Sequence, residues 1–213
     1  MTRPMLGLSA EKRYGVRSLN QGSFSLVIPS SSGCWSLQLE YFGFNKYAET
    51  RAGFCYGRPL GFRLDLGLRF NYMQLRIPGF QARSVFYPQI GFRYMLNENL
   101  MIGWSVSNPG GKIKLRGLYP IPIVYRIGIG YKISEQTGIA AEILKEEGRV
   151  PVVVAAVRYR PLKHIELRGG IYSNSKQFFF NTSVQKNKMR YTIGLLWHQE
   201  LGFSPTMVWH SIF

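Results

Sequence analysis

The residues of this sequence that could do chemistry recur with a spacing of two. Arginines stand at Arg51, Arg63, Arg69, Arg93, Arg126, Arg158, Arg168 and Arg190, most of them between two apolar residues, and Asp65 and Glu166 share that phase. A guanidinium keeps its charge in any surroundings and forks onto carboxylates and phosphates. Gathered on one surface, these arginines could attract an anionic solute. They could also pair with Asp65, Glu166 and the neighbouring Glu11, Glu40, Glu49 and Glu142 in a network of ion pairs filling a narrow space. The ion-pair network is the expectation for most of them, and the surplus of arginine still predicts a net positive lining.

The two cysteines, Cys34 and Cys55, lack metal-ligand spacing. If a turn at residues 43–46 sets the register of its flanking segments, Trp35 faces Phe54 and Cys34 faces Cys55. A cross-strand disulfide would then suit an oxidising compartment. One slip in register leaves two free thiols, and both alternatives stay open. The histidines are His164, His198 and His210. His198 would lie near a rim beside Glu200, but no nucleophile and orienting acid can be placed around it. Neither catalysis, nor a metal, nor a cofactor is expected. Gly128-Ile129-Gly130 precedes no helix and is not a nucleotide-binding turn. Lys112-Ile113-Lys114-Leu115-Arg116 is a basic, partly apolar loop that could touch lipopolysaccharide phosphate or lie in solvent.

The elements that position these groups are read from alternation. In residues 62–72, even positions are Phe62, Leu64, Leu66, Leu68, Phe70 and Tyr72; odd positions are charged, polar or glycine. A period of two is a strand with one apolar and one polar face. Its eleven residues exceed an ordinary strand of about 5–6 and match the roughly 9–11 that a tilted strand needs to cross a bilayer. The pattern repeats along the chain and predicts fourteen strands and no helix of useful length. Short turns at 29–33, 58–61, 96–99, 134–137, 160–163 and 186–188 alternate with longer connections near 76–84, 108–122 and 198–205. Outer-membrane barrels are built with short turns on one rim and longer loops on the other.

Composition agrees but does not decide. The 213 residues carry 46% hydrophobic residues, 15% aromatics and a net charge of +16. No apolar run reaches the length of about 18 that a membrane helix requires. A basic balance fits nucleic acid, an anionic membrane or a basic lumen equally. Three further features favour lipid over a packed core. The apolar positions carry no charge. Tyr41, Tyr56, Tyr72, Tyr94, Tyr131, Tyr159 and Trp197 concentrate near strand ends, where rings sit at a membrane interface. The last strand ends on the aromatic Phe213.

Several short motifs carry a resemblance. Glu11-Lys12-Arg13-Tyr14-Gly15, the segment Ser18-Leu19-Asn20-Gln21-Gly22-Ser23, Tyr41-Phe42-Gly43 and Asn108-Pro109 are among them. So are Arg168-Gly169-Gly170-Ile171 and His198-Gln199-Glu200-Leu201-Gly202 with Pro205 and Phe213. The chain resembles a Bacteroidota outer-membrane barrel family similar to the long-chain fatty-acid transport porins and to a barrel of the type IX secretion system. The resemblance implies fourteen strands, a signal peptide and an N-terminal hatch plugging the lumen. Neither of the last two is visible in these residues. The chain is expected to begin at its first strand, with the hatch missing.

The expectation is a single domain over residues 1–213: an all-β, antiparallel, up-and-down transmembrane β-barrel of about fourteen strands in the cell outer membrane. Its partners would be outer-membrane lipid and lipopolysaccharide, with a hydrophobic small molecule or a secretion component; nucleic acid is not expected. The first function hypothesis is passive transport or binding of a hydrophobic or amphipathic solute. The second is a non-transporting scaffold of a secretion or surface assembly. The third is a soluble basic β protein that binds nucleic acid.

Overall fold

The computed structural model describes residues 3–16, 18–44, 46–111, 113, 121–173 and 176–213. Fourteen antiparallel strands close on themselves, each paired with its sequence neighbours and the first with the last. They are β1 (Met5–Lys12), β2 (Asn20–Ser30), β3 (Gly33–Phe44), β4 (Tyr47–Leu60), β5 (Leu64–Arg76), β6 (Arg83–Met95) and β7 (Leu100–Ser107). There follow β8 (Val124–Lys132), β9 (Thr137–Glu146), β10 (Val152–Leu162), β11 (Ile165–Tyr172), β12 (Gln177–Lys186), β13 (Met189–His198) and β14 (Gly202–Ile212). Closure gives every strand two neighbours, so no open edge has to meet lipid.

Alternation becomes inside and outside. The apolar residues of each strand project outwards: Phe54 is 49% exposed, Ile127 51% and Ile193 65%. Polar residues of the opposite phase turn into the lumen, where Asn71 and Glu166 keep only 7% of their surface. Aromatic pairs tie neighbouring strands along the outer face, with Trp35 and Tyr56 ring centres 4.3 Å apart and Phe178 and Trp197 4.8 Å apart. The rims differ as expected. One carries both chain ends and six connections of two to four residues; the other carries the connection of residues 108–123.

Several strands run further than the alternation alone suggested, because they continue through proline. β14 starts at Gly202 and passes Pro205, instead of beginning near Met207. β2, β4 and β10 likewise take in Pro29, Pro59 and Pro161. These positions cost little for one reason. The ladder of β1 ends at Val27 on β2 and at Thr206 on β14, and that of β3 ends at Gly57 on β4. Each proline lies beyond the last pair on one side, where no bond awaits its missing N–H. Pro161 falls in the irregularity between Tyr159 and Leu162. At the other extreme, residues 62 and 63 are not strand. Gly61, with φ 81°, opens a turn that holds Phe62 and Arg63 at the short-turn rim, and β5 begins at Leu64.

Candidate functional site: the barrel lumen

Two halves of the lumen are built differently. On β3, β4 and β5 the inward positions carry long polar side chains that meet. Arg51 bonds the Glu49 carboxylate at 2.7 Å, Gln38 bonds Glu40 at 2.5 Å, and the Tyr47 hydroxyl donates to Glu49. Asp65 on β5 accepts two bonds from Arg93 on β6, at 2.8 and 2.5 Å. The guanidinium of Arg69 lies over Gly53, where a Cβ would come within 2.3 Å of it. The free volume left by Arg13, Gln21, Glu40, Phe42, Glu49 and Arg51 is about 100 Å³.

Across the barrel, the inward positions of β7 to β10 are small. Gly103, Ser105, Gly128, Gly130, Ala140 and Ala156 line a chamber of about 840 Å³. Leu144, Val152 and Val154 add apolar wall, and Arg93, Arg126, Glu142, Tyr172 and Gln177 supply polar groups. Arg126 and Glu142 bond each other at 3.3 Å. Apolar walls with a few converging polar groups are how small-molecule sites are made. The alanines of this wall were not among the residues singled out from sequence. Their signal was present: on β9 and β10 the inward phase runs Gly138, Ala140 and Val154, Ala156, where other strands carry arginine.

The long-loop mouth is narrowed by the chain itself. After β1 a 3-10 turn at Arg13–Gly15 folds inward, with Tyr14 at φ 53° and Gly15 at φ 67°. The Tyr14 N–H donates to the Oγ of Ser204 at 2.8 Å, and its ring meets His198 edge-on at 5.9 Å. Arg13 lies 4.9 Å above the Phe42 ring and bonds Gln21 at 2.7 Å. His198 faces the lumen beside Glu200; its Nδ1 accepts the backbone N–H of Glu200 and of Leu201 at 3.1 and 3.2 Å.

Charges are distributed along the barrel axis. Near the long-loop mouth Glu11, Glu40 and Glu49 stand with Arg13 and Arg51. Near the short-turn mouth Asp65 and Glu166 stand with Arg93, Lys132, Arg158, Arg160, Arg168 and Arg190. Glu166, almost sealed from solvent, is shared by Arg160 at 2.7 Å and Arg168 at 3.0 Å. Arg190 bonds the side-chain oxygen of Gln185 at 3.3 Å. Arg160 joins this set although it precedes Pro161, whose presence predicts a turn there; β10 continues through both residues.

Of the residues singled out from sequence, Arg51, Asp65, Arg69, Arg93, Arg126, Arg158, Glu166, Arg168 and Arg190 sit on inward positions of strands. Arg63 does not: it lies on the turn before β5 and donates to the Leu96 carbonyl at 3.2 Å. Cys34 and Cys55 both face inward and are free. The pair Phe44↔Tyr47 closes the hairpin, which sets Cys34 against Gly57 and Cys55 against Ser36. The disulfide register was therefore wrong by two residues, because the turn comes one residue later than the glycine suggested. Direct opposition brings Cβ atoms to about 4.5–5.5 Å, a diagonal pair only to about 7–8 Å, and a disulfide requires about 3.8 Å. Among the described residues no group of three or more His, Cys, Asp or Glu is arranged to hold a metal ion. The basic loop singled out at residues 112–116 lies outside the described residues except for Ile113.

No protein-family model matches the sequence, and no curated protein is detectably similar to it. Solved structures are similar in fold. The toluene transporter TbuX of Ralstonia pickettii superimposes with a TM-score of 0.75 at 9% identity, over 100% of this chain and 90% of that one. The toluene transporter TodX of Pseudomonas putida gives 0.72 at 10% identity, over 100% and 88%. A Pseudomonas aeruginosa FadL homologue gives 0.64 at 9% identity, over 100% and 90%. At these identities the likeness is one of architecture: the chain is a closed fourteen-stranded antiparallel barrel of the kind found in these transport proteins.

Proposed function

We propose that this protein is an outer-membrane barrel that passively passes or binds a hydrophobic or amphipathic solute. The observation that carries the proposal is the chamber of about 840 Å³ on β7 to β10, walled by glycine, alanine and valine in a lumen otherwise crowded with charge. Its volume is that of a small-molecule site, and its few polar groups stand at the edges of an apolar wall. The fold shared with the two toluene transporters supports the same reading. An apolar outer face on every strand supports placement in lipid, and arginines turned into the lumen argue against a nucleic-acid surface. Reconstituted liposomes test it: the protein should speed uptake of a hydrophobic tracer such as a radiolabelled monoaromatic or medium-chain acid. Uptake equal to that of empty liposomes would refute it.

One observation favours the second hypothesis, a scaffold that transports nothing. The Arg13–Gly15 turn is held inside the long-loop mouth by β14 and β3. If that turn closes the barrel, removing it should open the lumen to solutes that the intact protein excludes.

A further inference from the structure

At the short-turn mouth a second cavity, of about 580 Å³, opens between β6 and β11. Four cations lie on its wall: Arg93, Lys132, Arg158 and Arg168, with Glu98 on the turn above β7. Three of the four are bonded to a carboxylate. Arg93 holds Asp65, Lys132 holds Glu135, and Arg168 holds Glu166, which it shares with Arg160. Arg158 has no carboxylate bonded to it among the described residues, and its Nε is buried without a partner.

The strands around Arg158 leave it so by construction. On β11 its direct partner is Arg168, so two guanidiniums stand opposite each other. Like charges directly opposed on a sheet are destabilising. On β9 its partner is Gly138, where a Cβ would lie 3.1 Å from the Arg158 Nη2. The glycine leaves the guanidinium its place, and the arginine opposite supplies a second fork. A carboxylate or phosphate group that bridges the two guanidiniums from the cavity removes the like-charge cost, since guanidinium binds such groups bidentately. The cavity has the room, and it shares Met101, Gly130, Ala140 and Ala156 with the apolar chamber.

The geometry points to an anion-binding site at Arg158 and Arg168 that takes a single carboxylate or phosphate group entering from the lumen. The site requires only that the lumen be reached by solute, not that solute pass through. Its binding is measured at equilibrium, so it stands or falls separately from transport.

Isothermal titration of the full chain in a non-ionic detergent, at low chloride, tests it with two probes. Inorganic phosphate offers the anion alone; octanoate offers a carboxylate with an apolar tail that can reach the chamber. Both should bind the native protein. Arg158→Gln should weaken both roughly tenfold or more, as expected for a charge-assisted bond, and Arg158→Lys, which keeps the charge without the fork, should weaken them less. Arg158→Gln also removes the like-charge opposition, so it should fold at least as stably in the absence of anion, as read by its migration on unheated gels. Arg149→Gln, on the long-loop rim and paired with Glu146, should bind both probes as the native chain does. The site is overturned if neither probe binds the native protein, or if Arg158→Gln binds them unchanged.

Discussion

The walls formed by β3 to β6 and by β7 to β11 obey one alternation and do opposite things with it. β3 to β6 are 12 to 14 residues long, and their inward positions fill the lumen with bonded polar groups. β7 to β11 are 8 to 11 residues long, and the small inward positions of β7 to β10 leave a chamber. On the outside the two walls are alike. Leu68 and Phe92 face outwards in the first as Ile129 and Ile143 do in the second, all 40–48% exposed. The lesson is that one face of every strand is held to apolar residues, while the other face is free to be either packing or cavity. Even the outer face of β8 to β11 is shallow where Ala141, Ala155 and Gly169 replace larger residues, leaving a groove of about 830 Å³.

The largest effect should come from making the open wall resemble the filled one. Ala140 and Ala156 are direct partners across β9 and β10. Ala140→Phe with Ala156→Phe should fill the chamber and bring liposome uptake of a hydrophobic tracer down to the protein-free level, with the barrel still folded. Continued uptake would place the route elsewhere.

A charge on the outer face should hurt both walls alike. Phe54→Arg on β4 and Ile127→Arg on β8 each put a cation near the middle of a strand, where lipid-facing arginine costs about 2–4 kcal/mol. Urea unfolding in vesicles should find similar losses. A small loss on one wall would mean that protein, not lipid, covers that face.

A milder pair isolates the lumen. Gly91→Ala on β6 puts a methyl 3.0 Å from the Trp104 backbone oxygen and 3.0 Å from the Ser105 Cβ, atoms that cannot swing aside, and should cost about 1 kcal/mol or more as overpacking. Gly128→Ala meets nothing nearer than 3.5 Å and should stay within about 0.5 kcal/mol of the native protein. Equal costs would mean that the two walls are packed alike after all.

The smallest effect lies in a turn at the rim. In the turn after β8, a hydrogen bond from Lys132, with its positive charge, holds the Glu135 carboxyl below the usual carboxylate range. A depressed folded value means that the pairing is complete above the ordinary carboxylate range and is lost as pH falls through the lower folded value. The Glu135 carboxyl followed by NMR should titrate low, and Lys132→Met should return it to the ordinary range.

Much of this was legible in the sequence. A period of two that persists through fourteen segments admits strands and little else, and the order of short and long connections gave the two rims. Uncharged apolar positions marked the outer face of the barrel. Of the eight arginines singled out, all but Arg63 stand on inward positions of strands, while Arg160, beside a proline, escaped the alternation. A turn defeats this reading: Arg63 lies on one, and the two cysteines, both on the inward face, miss each other because a shift of one residue in the turn moves every cross-strand partner by two.

The periodic order of side chains thus determined by itself which groups look outwards and which at the lumen, because neighbouring residues of a strand point in opposite directions. Which inward groups meet depended on closure of the barrel. That closure set the registers pairing Arg158 with Arg168 and Ala140 with Ala156, and on one and the same wall it put charge against charge near the short-turn mouth and space against space further in. Register and the distance across a lumen are properties of the closed sheet, set by all fourteen strands together, and no single segment encodes them.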